Sequence, residues 1–317
     1  RAELERLQKE GVEGIVIDLR DNGGGSLQTV VDMAGYFIDQ GPVVQVRTAG
    51  DRREVQEDPE PGIVYDGPLV ILVNELSASA SEILAAALQD YGRAVIIGSE
   101  RTYGKGTVQN VIPLSNIIRS NELGDLGALK ITTQKFYRVS GGSTQLEGVS
   151  SDIVIPDRYS YIDVGERDQE NPLSWDQISP VSFRPWHKQI DFERVLQNSR
   201  ERLSANQYVA LLDKEARFIS EQRNDRRTAL DLGSYRKEKE SLKVRSKEFE
   251  ALDNYDTAFS FSSLPYERAL FDQDSILREK RDRWHKELAS DVYLEEAIAV
   301  LKDLKQFTYA RPNPIKG

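Results

Sequence analysis

Cysteine is absent from all 317 residues, which removes disulfides, thiolate nucleophiles and thiolate metal sites together. Histidine is nearly as scarce. The two present, His187 and His285, both lie in Trp-His-Lys contexts far from the glycine-rich half of the chain, so a histidine-based metal cluster is not expected. Met33 is the only methionine, which leads us to expect a chain that begins in mid-protein at Arg1. No run of about 18 apolar residues occurs, so no membrane span is predicted, and no basic-then-apolar leader precedes the first strand. A surplus of positive charge is missing as well. The 42 Lys and Arg against 52 Asp and Glu give a formal charge of −10, which argues against nucleic acid as a partner, because phosphate binding relies on clustered cations. Arg226-Arg227 and Lys286 are interleaved with acids and read as solvated helix faces.

What is present can build a substantial core. The chain is 39% hydrophobic and 30% charged, and its length suggests about two domains. From residue 1 to about 157, short apolar runs alternate with helical patterns, the signature of an α/β layer architecture. Strands are predicted at 14–20, 43–46, 68–73 and 94–97, helices at about 27–38 and 81–89, and extended segments around 107–114 and 129–139. The run at 68–73 is continuously apolar and suits a strand buried on both faces. Beyond about Pro156 the composition shifts to charged helices. The spacings Tyr208, Leu211, Leu212, Phe218, Ile219 and Leu294, Ala297, Ile298, Leu301, Leu304 are helical packing stripes. The segment 236–250 reads as a solvated helix, and Pro312-Asn313-Pro314 as a frayed tail.

Three segments could carry chemistry, and each has a plain structural alternative. Asp21-Asn22-Gly23-Gly24-Gly25 lies between a strand and a helix. Its glycines permit positive φ and leave N–H groups uncovered for an anion or oxyanion, or they simply make a tight turn. The segment lacks the spacing of a phosphate loop or a dinucleotide fingerprint. Asn74 to Ile83 passes from a buried strand to a helix through Ser77, Ser79 and Ser81 alternating with alanine. A serine there could attack a carbonyl while the next N–H steadies the oxyanion. Equally, Ser79-Ala80-Ser81-Glu82 matches a capping box. In Thr102-Tyr103-Gly104-Lys105-Gly106-Thr107-Val108-Gln109 a lysine stands between glycines just past a strand. To act as a base a lysine must be uncharged, a form that burial favours, and Gln109 could orient the amine; otherwise Lys105 is an exposed turn residue. With both histidines outside this half, a Ser-Lys dyad is the simplest complete constellation.

These residues carry a resemblance. Asp-Leu-Arg-Asp-Asn-Gly-Gly-Gly at 18–25, Ser-Ala-Ser-Ala-Ser-Glu-Ile at 77–83, Tyr-Gly-Lys-Gly-Thr-Val-Gln at 103–109 and the segment 130–149 are similar to the carboxy-terminal processing peptidases. Pro172 to Asp176 and the 294–304 helix resemble that family's tail-specific branch. The resemblance implies a crotonase/ClpP-like α/β protease core at 1–157 and a mainly helical C-terminal domain at 158–317. It implies Ser79 as nucleophile, Lys105 as general base and Gln109 as its support. Gly24 and Ala80 would be oxyanion donors. Glu82, Asp90 and Thr102 match supporting positions, each with a structural alternative: helix cap, helix surface and turn support. No metal or cofactor is implied. Location would be periplasmic, with protein substrates bearing apolar unstructured C-termini, some of them proteins of cell-wall growth, and a lipoprotein adaptor in some relatives. The family's upstream helical region and PDZ domain are not seen in this sequence.

Two departures stand out. Lys105 follows Ser79 by 26 positions, one more than the resemblance leads us to expect, a difference that a surface loop absorbs. Ser151 replaces the family's usual proline before Asp152-Ile153. Competing readings are a catalytically silent binding module, an acyl-CoA enzyme of the same fold, for which no supporting motif is present, and a C-terminal half that docks an adaptor independently of catalysis.

Overall fold

The structure, a computed structural model, describes residues 1–48, 50–118, 124–271 and 273–310. The Pro312–Pro314 tail lies outside the described residues. In chain order the elements are α1 (Ala2–Lys9), β1 (Ile15–Asp18), α2 (Leu27–Gly35), β2 (Gly41–Thr48), β3 (Arg53–Asp58), β4 (Leu69–Val73), α3 (Ala80–Asp90), β5 (Val95–Gly98), β6 (Thr107–Pro113), β7 (Ala128–Tyr137), β8 (Ile153–Val154) and β9 (Lys188–Ile190). There follow α4 (Phe192–Ala205), α5 (Gln207–Asn224), α6 (Leu232–Ser246), α7 (Pro265–Phe271), α8 (Ser275–Ala289), α9 (Val292–Phe307) and β10 (Thr308–Ala310).

A parallel sheet in the order β1-β4-β5-β8 lies at the centre. β4 is Leu-Val-Ile-Leu-Val and every side chain in it is buried, as its unbroken apolar run predicts. Successive strand residues point to opposite faces, so Leu69, Ile71 and Val73 join one core cluster while Val70 and Leu72 join another. Each contributes roughly 1.5–3 kcal/mol relative to exposure. α2 and α3 cover the first face and also pack on an antiparallel sheet of order β3-β2-β7-β6. The helix expected to reach residue 38 ends at Gly35, and the chain then turns to bury Phe37 and Ile38.

The second face is covered from beyond residue 157. Ala297, Val300, Leu304 and Phe307 of α9 and Val195 of α4 pack on Val70, Leu72, Val95 and Ile97, so the apolar stripe at 294–304 is a packing stripe. β9 and β10 pair beside it. α6 has no buried residue, in keeping with the solvated helix read from its charges. The chain is thus an α/β core followed by a helical C-terminal region.

Candidate active site

β1, β4 and β5 run parallel, so their carboxyl ends lie side by side, the edge at which open α/β sheets bind ligands. The three motif-bearing segments leave from those ends and are bonded to one another. Ala78 N–H donates to Asn22 O (3.0 Å) and Tyr103 N–H to Ser77 O (3.0 Å). Asn74 Oδ1 accepts Asp21 N–H (2.9 Å), while Asn74 Nδ2 donates to Asp21 Oδ1 (2.9 Å).

The alternating serines have three different environments. Ser77 is fully buried, accepts Asn74 N–H (2.9 Å) and donates to Leu19 O (2.8 Å). Ser81 donates to Asn22 O (3.0 Å). Ser79 alone is half-buried, and its backbone is held at φ 58°, ψ −113°, a conformation that costs a residue bearing a Cβ about 1–3 kcal/mol. Strain of this kind persists only where the surroundings enforce it. Here Glu82 does so: its Oε2 accepts Ser79 N–H at 2.7 Å, the Glu82 half of the predicted capping box.

Glu82 does more than cap. It is fully buried, and the same Oε2 accepts Lys105 N–H (3.0 Å), while Oε1 accepts Gly104 N–H (2.7 Å) and Thr102 Oγ1–H (2.6 Å). Ser79 and Lys105 thus have their backbone nitrogens within two hydrogen-bond lengths of each other. Burial pushes the Glu82 carboxyl up to about 7, and the four donors pull against that shift. Thr102, also buried, passes the connection on by accepting Val149 N–H at 2.8 Å. Lys105 itself is half-buried and forms no ion pair among the described residues.

Gly24 borders the same space. Its φ is +99°, and a Cβ there would lie 2.6 Å from Ala78 O and 2.8 Å from Ala80 N, so the glycine allows the turn to close on the start of α3. Ala80 N–H, at the first position of α3, has no acceptor among the described residues. Gly24 N–H donates to Asn22 Oδ1 (2.9 Å), so an oxyanion would have to share or displace that bond.

Two predicted residues lie apart from this cluster. Gln109 follows a β-bulge at Val108/Gln109, and its side chain reaches Thr107 Oγ1 at 3.5 Å rather than Lys105. Asp90 ends α3, where it pairs with Arg138 (2.7 Å) and accepts Ser140 Oγ–H (3.1 Å); α3 has 11 residues, so Asp90 is about 16 Å from Ser79 along the helix. Of the histidines, His187 stands beside Asp66 and His285 beside Ser263. Asn74 and Asn22, which brace the glycine turn, were not singled out as site residues. The only signal for them in the sequence is their place inside the two motifs.

Residues 1–155 match the model of peptidase family S41, and residues 159–306 match that of the C-terminal domain of tail-specific protease. The tail-specific protease of Haemophilus influenzae is 36% identical over 304 residues, which is 96% of this chain and 42% of that protein. A carboxy-terminal-processing protease of Bartonella bacilliformis is 38% identical over 164 residues, 50% of this chain and 36% of its own length. Among solved structures, the photosystem II D1 C-terminal processing protease is 36% identical over 48% of this chain and 37% of its own, with a TM-score of 0.42. The chain spans less than half the length of these relatives.

Proposed function

Residues 1–155 belong to peptidase family S41 and residues 159–306 to the C-terminal domain of tail-specific proteases, and from that premise we propose that the chain carries the chemistry of a serine endopeptidase working through a Ser79–Lys105 dyad. The observation that supports this most is the shared Glu82 carboxylate, which holds the strained Ser79 backbone and the lysine loop together while Ser77 and Ser81 spend their hydroxyls on the fold.

In this mechanism neutral Lys105 takes the Ser79 Oγ proton as the oxygen attacks the scissile carbonyl. Ala80 N–H, with Gly24 N–H released from Asn22, stabilises the oxyanion. Lys105 then protonates the leaving amine as the C–N bond breaks, and water hydrolyses the ester by the reverse proton path. Gln109 would support the amine once substrate orders the site, with Glu82 and Thr102 holding the loop. No cofactor enters these steps. The substrates we propose are periplasmic proteins with apolar, unstructured C-termini, delivered in some cases by a lipoprotein adaptor that docks on residues 158–317; the relatives' names, tail-specific and carboxy-terminal-processing protease, support the choice of the C-terminus.

Ser79→Ala and Lys105→Ala in the full-length protein test the dyad. Each is expected to reduce cleavage of an unstructured apolar-tailed polypeptide by about three orders of magnitude or more, with circular dichroism unchanged. Wild-type turnover by Ser79→Ala would rule the mechanism out, and no turnover by the wild type itself would leave a binding module.

A further inference from the structure

Glu82 fixes the N–H groups of Gly104 and Lys105, but the next amide in the loop is fixed by a different side chain. Gly106 N–H donates to Gln145 Oε1 at 2.9 Å. Gln145 is fully buried, and its other end is committed as well: Nε2 donates to Leu173 O at 3.0 Å and to Glu166 Oε1 at 3.2 Å. The orientation of the amide is forced, because Gly106 offers only a donor and Leu173 only an acceptor. The backbones are pressed together at the same place, since a Cβ on Gly106 would lie 2.5 Å from Gln145 N.

The segment that Gln145 reaches also wraps the lysine loop directly. Glu166 N–H donates to Tyr103 O at 2.9 Å and Gln169 Nε2 to Tyr103 Oη at 3.0 Å, while Trp175 Nε1 bonds Ser143 O, two residues before Gln145, at 2.9 Å. This is the stretch of chain by which the core passes into the helical C-terminal region.

We propose that Gln145 is the positioning residue for Lys105, and that through it the aim of the lysine depends on segment 166–173 remaining docked. The inference rests on the dyad reading above. Its physical content is local. The peptide plane between Lys105 and Gly106 is held at its N–H by Gln145 (2.9 Å) and at Lys105 O only by the longer bond from Thr144 Oγ1 (3.4 Å), so losing the shorter bond loosens the plane and moves the lysine side chain, whereas Ser79 stays pinned by Glu82. Misplacement of a catalytic group by about 1 Å can cost two orders of magnitude in rate. Substrate contacts made elsewhere are untouched, so KM is expected to hold while kcat falls.

The test uses the full-length protein and an unstructured polypeptide substrate, with rates expressed per folded molecule from far-ultraviolet circular dichroism and gel filtration. Gln145→Met keeps the shape and removes both polar ends; kcat is expected to fall by about tenfold or more with KM within about twofold. Gln145→Glu retains the acceptor for Gly106 but sets a carboxylate against Glu166 and Leu173 O, and should lower kcat similarly. Adding Glu166→Gln to it places an amide donor opposite the new carboxylate and is expected to recover part of the lost rate, Leu173 O still lacking its donor. Wild-type kcat in Gln145→Met, or a double variant no better than Gln145→Glu, would overturn the proposal. An active wild type with an inactive Ser79→Ala shows that any such failure belongs to Gln145 alone; an active Ser79→Ala sinks the dyad and this inference with it.

Discussion

Four donors converge on the two oxygens of Glu82, which is as many as a carboxylate can accept and more than any uncharged side chain of that size can satisfy. Replacing it by glutamine shows why. The amide sits best with its NH2 toward Thr102, whose oxygen has a lone pair to spare, and Gly104 N–H is then left buried without an acceptor. An orphaned donor of this kind costs about 1–3 kcal/mol. Glu82→Gln is therefore expected to lower stability by about that amount in urea unfolding and to depress kcat, since Ser79 and the lysine loop lose their common anchor. Unchanged stability and rate would show that the four contacts are not coupled. From the sequence only one of these contacts was legible, the capping box at Ser79. The other three cross from the Ser79 turn to the loop at 102–105, and nothing in a linear spacing of 20 to 23 residues shows that two loops meet.

At the scale of elements, patterning was read well where the period was clean. β4 and α3 lie within a residue or two of where their apolar runs place them, because burial on both faces of a strand and on one face of a helix leaves distinct repeats. β3, Arg-Glu-Val-Gln-Glu-Asp, was missed: it is an edge strand with charged residues and little burial. The starts of five C-terminal helices carry their own sequence signal, since Asp191, Asn206, Asp231, Asp274 and Asp291 each cap one with the residue types that favour that position. The two ends of α3 serve different purposes. Its N-terminus presents Ser79, while Asp90 at its C-terminus fastens the helix to Arg138 and Ser140 beyond β7. Asp90→Ala is accordingly expected to lower stability by roughly 1.5–3 kcal/mol, the range for hydrogen bonds to charged groups, with kcat per folded molecule retained. Thermal unfolding combined with turnover would check this, and a large loss of kcat in a stably folded variant would give Asp90 a part in the chemistry.

For the molecule as a whole, the junction of greatest consequence is where the end of β4, the chain past β8 and the first turn of α9 meet. Arg20, just beyond β1, bonds Asp18 and Asp291 (both 2.6 Å) and lies over the Tyr293 ring. Tyr293 donates to Pro156 O at 2.7 Å. In the middle are two carboxyl groups, Glu75 and Asp157. Glu75 Oε2 is buried without a hydrogen-bond partner among the described residues, and Asp157 lies close enough to disfavour a charge on the Glu75 carboxyl. Burial, with the charge of Asp157 added, pushes Glu75 up to about 8, and Asp157 is raised by burial too. Asp21 adds negative charge to this group, while Arg158 opposes it. Between the ordinary carboxyl value of 4.5 and about 8 the folded chain binds a proton that the unfolded chain does not, so this contribution to stability is complete below about 4.5 and is lost as pH rises through about 8. Glu75→Gln carries a permanent donor toward Asp157 and should remove that dependence. Unfolding temperatures measured from pH 5 to 9 are expected to fall toward alkaline pH in the wild type and to fall less in the variant, with the variant the more stable of the two at pH 9. Parallel curves would mean that the pair holds no proton in common. The same experiment reports on the union of the two halves, because the group that titrates is built from the core sheet on one side and from the approach to the helical region on the other.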